Sequence, residues 1–125
     1  MNRVLLVGLG GALGSILRYG LGTAVSRVKG ATPFPFETLT VNVLGCLIAG
    51  LLAGWAETRG TLSPEMRAFL FVGILGGFTT FSAFGYETFG LLRDGMRGVG
   101  LASVALQLVL GVGAVWVGMM LVRVR

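Results

Sequence analysis

The chain has 125 residues, of which 54% are hydrophobic and 12% charged, with 22 glycines and a formal net charge of +5. So little charge does not suit a soluble domain of this size. The cations are scattered, without the basic stripe or aromatic motif of nucleic-acid-binding proteins, so we do not expect nucleic acid as a partner. The composition indicates a protein of the lipid bilayer.

Four nearly uncharged runs each reach the length that crosses a bilayer. Their hydrophobicity is continuous rather than alternating, which argues against a β-barrel. We therefore predict an all-α membrane protein, a single four-helix transmembrane domain over residues 1–125 with spans at about 4–26, 38–56, 66–92 and 99–122.

Arg18 lies inside the first predicted span. Its Cα would be about 12 Å from the second end of the helix at a rise of 1.5 Å per residue. At that depth the guanidinium can extend to the membrane interface. Alternatively, it supports the structure near the mouth of a pore, and the residues leave both interpretations open.

The second span follows a loop with Pro33 and Pro35, which oppose helix. Thr38 then suits an N-cap or first-turn position. Asn42 is four residues further on, so it shares a helix face with Thr38. A buried asparagine commonly bonds a neighbouring helix, whereas in a pore its N–H groups would donate to a dehydrated anion.

The third run, Met66 to Leu92, would be about 40 Å long as one helix, against a hydrocarbon core of about 30 Å. Gly76-Gly77 is its weakest helical point, and the hydroxyls of Thr79-Thr80 can bond backbone groups that a break leaves free. We predict a helix that ends near Gly76, an irregular turn, and a second helix from about Phe81. Irregular backbone at membrane depth usually marks a site.

Three phenylalanines, Phe78, Phe81 and Phe84, are spaced by three around this predicted break. If helix resumes at Phe81, then Phe81 and Phe84 share a face. Their rings have electropositive edges that can face an anion. The alternative is a lipid-facing or core aromatic ladder.

Polar residues continue beyond the phenylalanines. Glu87 lies close to the aromatic stripe, and because a carboxylate in an anion path is unfavourable we expect it to be hydrogen-bonded, in a structural or gate-adjacent role. In the last span, Ser103 and Gln107 are four residues apart and Gly111 completes their stripe. They form either a polar track or an interhelical hydrogen bond.

The positive charges give almost no bias for orientation. Five lie on the side of the N-terminus, second loop and C-terminus, against four in the first and third loops. Since orientation normally follows a clear Lys/Arg asymmetry, we predict dual insertion. The cations are Arg3, Arg59, Arg67, Arg123 and Arg125 on the first side, and Arg27, Lys29, Arg93 and Arg97 on the other.

Assembly is also suggested by size. Four helices pack into a solid bundle, so a conduction path would lie between subunits. Three small-xxx-small pairs permit close helix contact without naming the partner helix: Gly10/Gly14, Gly50/Gly54 and Gly73/Gly77. An antiparallel homodimer fits both observations.

Three motifs in order resemble a known family: Gly11–Tyr19 (GALGSILRY), Thr38–Gly45 (TLTVNVLG) and Gly76–Phe84 (GGFTTFSAF). They are similar to those of the small bacterial fluoride channels, the Fluc (CrcB) family, and the match covers nearly the whole chain. The resemblance implies a passive fluoride channel of the cytoplasmic (inner) membrane, which exports cytoplasmic fluoride to relieve its toxicity. It also implies an antiparallel dual-topology homodimer with two pores and no enzymatic activity.

The resemblance assigns roles to individual residues. A structural Na⁺ on the dimer axis would be held by the carbonyls of Gly76 and Thr79, and Arg18 and Glu87 would be structural. The family pattern has a Tyr where Ser103 stands and a Ser where Gln107 stands, so a polar track survives with altered geometry. The expected pore residues are Phe81, Phe84 and Asn42, with Thr38, Thr80, Ser82, Ser103 and Gln107.

Two other classes remain as alternatives. A small proton-coupled exporter needs an intramembrane carboxylate, for which Glu87 is the only candidate. A non-transporting assembly subunit would explain the glycines but not the broken Phe-Thr stretch. The sequence has no His and no evident nucleophile–base arrangement, so we do not expect an enzyme.

Overall fold

The computed structural model describes residues 2–60 and 62–123 and is helical in each of its elements. The third span is divided into several pieces, whereas the other three are single helices. The elements are α1 (Arg3–Lys29), α2 (Phe36–Arg59), α3 (Pro64–Arg67), a π-helical segment (Ala68–Leu75), α4 (Gly76–Phe78), α5 (Phe81–Arg93) and α6 (Arg97–Arg123).

Within the described residues, four helical stretches are long and apolar enough to cross a membrane: Arg3–Lys29, Phe36–Thr58, Pro64–Arg93 and Arg97–Arg123. Each contains one of the predicted spans. Of the cations counted for orientation, Arg125 and the side chain of Arg59 lie outside the described part.

The helix ends follow local chemistry. Asn2 caps α1, since its side-chain oxygen accepts from the Val4 N–H at 3.1 Å. The helix ends before Gly30, whose φ of 67° suits glycine. Pro35 then occupies the N-cap position of α2, so Thr38 lies in the first turn and is not the cap.

Glycines bring α1 against the first half of the third span. A Cβ built on Gly10 would lie 2.7 Å from the Phe69 carbonyl oxygen, and one on Gly14 would overlap the Ile74 carbonyl. Gly77 abuts the carbonyl of Gly11 in the same way. The backbones are therefore in direct contact, which only small residues allow.

A second glycine seam joins α2 and α6. A Cβ on Gly50 would overlap the Val115 carbonyl, and one on Gly54 would lie 3.0 Å from the Met119 carbonyl oxygen. Gly50 contacts Val115 and Gly54 contacts Met119, so residue numbers increase in the same direction on α2 and α6 and the two helices are parallel. The predicted small-residue pairs thus have their close contacts inside one chain.

The third span changes neighbours at its break. Its π-helical segment and α4 pack on α1, whereas α5 packs on α6. The predicted break is confirmed, and α5 begins at Phe81 as predicted, but the preceding helix ends at Phe78, two residues after Gly76, and the extended residues are Thr79 and Thr80. Gly77 allows close packing on α1. The helix unwinds where the Asn42 side chain of α2 accepts a hydrogen bond from the Thr80 N–H.

One end of the bundle carries two ion pairs between elements. Arg3 contacts Glu65 at 3.1 Å, and Arg123 contacts Glu57. These pairs join the start of α1 to α3 and the end of α2 to the end of α6. The N-terminus, second loop and C-terminal end of α6 are therefore at the same end, as four spans require.

Candidate functional site

The break at Thr79 and Thr80 has lost regular helical bonding. Both residues are extended, with φ, ψ of −88°, 160° and −152°, 115°. The Thr79 N–H and hydroxyl both donate to the Leu75 carbonyl, at 2.9 and 2.8 Å. Thr79 therefore terminates the preceding helix, and its methyl group fits against Gly45, where a Cβ would overlap it.

Asn42 supplies the partner that the broken helix needs. Its Oδ1 accepts from the Thr80 N–H at 3.0 Å, and its Nδ2 donates to the Thr80 carbonyl at 3.2 Å. In a continuous helix the Thr80 N–H would bond to the Gly76 carbonyl. The side-chain amide thus satisfies both polar backbone groups of one unwound residue, which supports the interhelical interpretation of Asn42.

Gln107 accepts the second N–H of Asn42. Its Oε1 lies 3.2 Å from Asn42 Nδ2. Its own Nε2 is buried and has no hydrogen-bond partner within the described ranges. Ser103, one turn earlier, is fully buried, and its Oγ is likewise unpartnered there. Gln107 therefore makes the interhelical hydrogen bond that was one of the two predicted alternatives, while Ser103 Oγ and Gln107 Nε2 are buried groups that retain hydrogens to donate.

Thr80 also starts the second half of the span. Its Oγ1 accepts from the Ala83 N–H at 3.2 Å, which makes it the N-cap of α5. The Ser82 hydroxyl lies 3.2 Å from the same atom. Both predicted hydroxyls are thus at the start of α5, bonded to each other.

The phenylalanines divide into two environments. Phe81 and Phe84 share a face, with ring centroids 5.5 Å apart and planes tilted by 57°. Phe81 is 82% exposed in the single chain, whereas Phe84 is half-buried. Phe78 is buried in the core. The predicted stripe is therefore the pair Phe81–Phe84 on α5.

Thr38 and Glu87 bond to each other. The buried Thr38 hydroxyl donates its hydrogen to Glu87 Oε1 at 2.7 Å. In this arrangement the hydroxyl therefore has no hydrogen left to donate to an anion. Glu87 is hydrogen-bonded as expected, yet its Oε2 is buried without a partner among the described residues, as is the hydroxyl of Thr88. Sequence reasoning missed Thr88, although it follows Phe84 by four residues on the same face.

A cavity of about 330 Å³ lies beside this network. Arg18 lines it together with Thr38, Thr80, Glu37 and Glu87. Within the part of the chain that the structure describes, Arg18 makes no ion pair or hydrogen bond. The arginine is therefore at the wall of a cavity that also holds carboxylate and hydroxyl groups, and no bond to the described residues anchors it.

The carbonyls expected to hold a cation have lost their helical donors. The Thr80 N–H, which would serve Gly76, goes to Asn42, and the Ala83 N–H, which would serve Thr79, goes to Thr80 Oγ1. Both oxygens are neutral and hard, which suits an alkali cation. One chain supplies two such groups, fewer than a dehydrated cation requires.

These features define the class: a multi-pass membrane protein with a polar site at a helix break inside the membrane. The chain matches the model of the family described as CrcB-like protein, Camphor Resistance (CrcB), over residues 5–119. It therefore belongs to the CrcB family, as the motif resemblance indicated.

Curated relatives match along almost the whole chain. A Methylobacillus flagellatus protein is 49% identical over 123 residues, covering 98% of this chain and 96% of its own length. A Thermus thermophilus protein is 51% identical, covering 94% and 93%, and one from Rhizobium meliloti is 46% identical, covering 98% of each. All three are named fluoride-specific ion channels.

Proposed function

We propose that this protein is a fluoride-selective channel of the cytoplasmic membrane that releases cytoplasmic fluoride passively. The observation that carries the proposal is the broken third span, which puts the Phe81–Phe84 pair next to an unwound, polar backbone segment. Relatives sharing about half of the sequence are named fluoride-specific channels, which supports the same ion.

Selectivity follows from how a small, strongly hydrated anion loses its water. Ring edges of Phe81 and Phe84 offer weak positive potential without a strong binding charge. Buried donors at Ser103 and Gln107 offer hydrogen bonds in a narrow path. Chloride is larger, so its charge stays further from the same donors and it gains less free energy from them.

Asn42 contributes to this path by fixing its shape. Both protons of its amide are engaged, one by Thr80 and one by Gln107. It holds the backbone of the break, and thereby the start of α5, in the position from which the phenylalanines reach the ion.

The working unit is an antiparallel homodimer with two pores. Phe81 is 82% exposed in a single chain, so the proposed ion path is open on the Phe81 side until a second subunit covers it. The glycine seams are used inside the chain, so the partner would pack on another surface, and the exposed Phe81 on α5 belongs to such a surface. Dual insertion, inferred from the near-equal charges of the two sides, provides chains of both orientations.

A structural Na⁺ completes the dimer axis. Two antiparallel breaks would offer four carbonyl oxygens, from Gly76 and Thr79 of each subunit, to one cation. The ion would neutralise freed carbonyl dipoles that otherwise are costly in hydrocarbon.

Fluoride efflux from liposomes tests the function. Vesicles that contain the purified protein and potassium fluoride should release fluoride when valinomycin carries the K⁺, without any pH gradient. Matched vesicles with chloride should stay loaded. Release that depends on an imposed proton gradient would instead assign the protein to the proton-coupled exporters, with Glu87 as the candidate carboxylate.

A further inference from the structure

The amide of Asn42 has two chemically different ends, and only one orientation fits the break. Thr80 presents an N–H, which needs an oxygen, and a carbonyl, which needs an N–H. The observed orientation satisfies both, at 3.0 and 3.2 Å. If the amide were flipped, its Nδ2 would face the Thr80 N–H and its Oδ1 would face the Thr80 carbonyl. Donor would then meet donor and acceptor would meet acceptor, and the break would lose both hydrogen bonds.

A second contact adds to the bonds that hold this orientation. The remaining proton on Asn42 Nδ2 points to Gln107 Oε1 at 3.2 Å. Within residues 2–60 and 62–123, Thr80 and Gln107 supply the two acceptors for this nitrogen. The orientation is set by Thr80, and Gln107 Oε1 accepts the proton that this orientation leaves over, so a third bond holds the amide in place.

We propose that Gln107 is a positioning residue, whose Oε1 locks the Asn42 amide and, through it, the unwound backbone at Thr80. The chain of bonds joins three spans: Gln107 on α6, Asn42 on α2 and Thr80 at the start of α5. Since α2 and α6 are held in register by the Gly50 and Gly54 contacts, the Gln107 oxygen is presented from a rigid support.

The consequence for transport rests on the proposed function. Without the oxygen at position 107, one Nδ2 proton lacks an acceptor, and the Asn42 amide is held by its two Thr80 bonds alone, so it leaves this position more often. The start of α5, with Phe81, then samples more than one position. Gln107→Met keeps the side-chain length but removes both the Oε1 acceptor and the Nε2 donor, so we expect it to lower fluoride flux about tenfold. The contribution of the acceptor is isolated by observing the Asn42 amide itself.

The bond itself can be observed without transport. Asparagine occurs only at positions 2 and 42, so protein labelled with ¹⁵N-asparagine shows two side-chain amide groups by NMR. In the intact dimer the Asn42 protons should exchange with solvent far more slowly than those of the exposed Asn2. Gln107→Met should shift one Asn42 proton and accelerate its exchange, whereas Leu108→Met, a matched change at a position 60% exposed, should not.

A rescue variant separates positioning from simple packing. In Gln107→Glu a carboxyl oxygen accepts from Asn42 in either protonation state, so slow exchange of the Asn42 amide should be retained. Asn42 protons that exchange as fast as those of Asn2 in the wild type, or that are unaffected by Gln107→Met, would overturn the inference. If the wild type transports fluoride normally but the NMR experiment gives either of these results, the inference about Gln107 is rejected and the proposed function stands. If the wild type shows no fluoride flux, the proposed function is rejected, and the NMR experiment still decides the role of Gln107.

Discussion

Gly14 offers a sharp test of the packing that holds the broken span in place. A Cβ built at this position would overlap the carbonyl oxygen of Ile74 and lie 2.8 Å from the backbone nitrogen of Phe78. Both obstacles are backbone atoms, which cannot rotate aside as a flexible side chain could. Gly14→Ala must therefore push α1 away from the segment that leads into the break.

The size of the effect follows from that geometry. Relieving the overlap requires the helices to separate along the whole seam, which also loosens the Gly10 and Gly77 contacts. Overpacking of this kind costs about 1–3 kcal/mol, and an alanine gains at most about 1 kcal/mol of helix propensity in return. We therefore expect Gly14→Ala to lower the unfolding midpoint of the purified protein by several degrees.

Gly8 and Gly20 provide matched controls on the same helix. A Cβ at either position meets nothing within 4 Å in the described chain, so the same substitution should leave the midpoint unchanged or raise it. Thermal unfolding in detergent, followed by the loss of the folded peak on size exclusion, measures all three variants. Equal midpoints for Gly14→Ala and Gly20→Ala would refute the seam as a determinant of stability.

Two further predictions concern the ion path and the cation. Phe81→Ile or Phe84→Ile keeps most of the bulk but removes the ring quadrupole, so fluoride flux in liposomes should fall strongly with the dimer intact; unchanged flux in both variants would leave the rings as packing residues. Replacing Na⁺ by a large organic cation should lower both the activity and the thermal stability of the dimer, and returning Na⁺ should restore them, whereas full activity after exhaustive Na⁺ removal would reject the carbonyl site.

The sequence predicted the architecture because its strongest signals are local. Continuous hydrophobicity indicates four membrane-length helices, and a Gly-Gly pair before two threonines indicates a break. The position of that break depended on Asn42, which lies on another span and takes the Thr80 N–H from the Gly76 carbonyl. A competition between a side chain and a helix bond so distant in sequence has no local pattern.

Contacts between residues distant in sequence also account for the other features that the sequence did not predict. The spacing of the glycines predicted close contacts but not the helices they join, because the seams on α1 and α2 depend on tertiary packing. Thr38 was expected to line the pore and Glu87 to be hydrogen-bonded in a structural or gate-adjacent role, yet their mutual bond was not predicted. The sequence did not indicate Thr88 as a site residue, because an isolated threonine in a helix usually bonds its own backbone.

The reversal potential of a bilayer that contains the purified protein tests the central claim most directly. A passive fluoride-selective path predicts that a tenfold fluoride gradient, with chloride and pH equal on both sides, gives a potential of about 59 mV, the equilibrium value for a univalent ion. A chloride gradient at equal fluoride should then give a potential near zero. A potential that follows the chloride or proton gradient instead would contradict a fluoride channel.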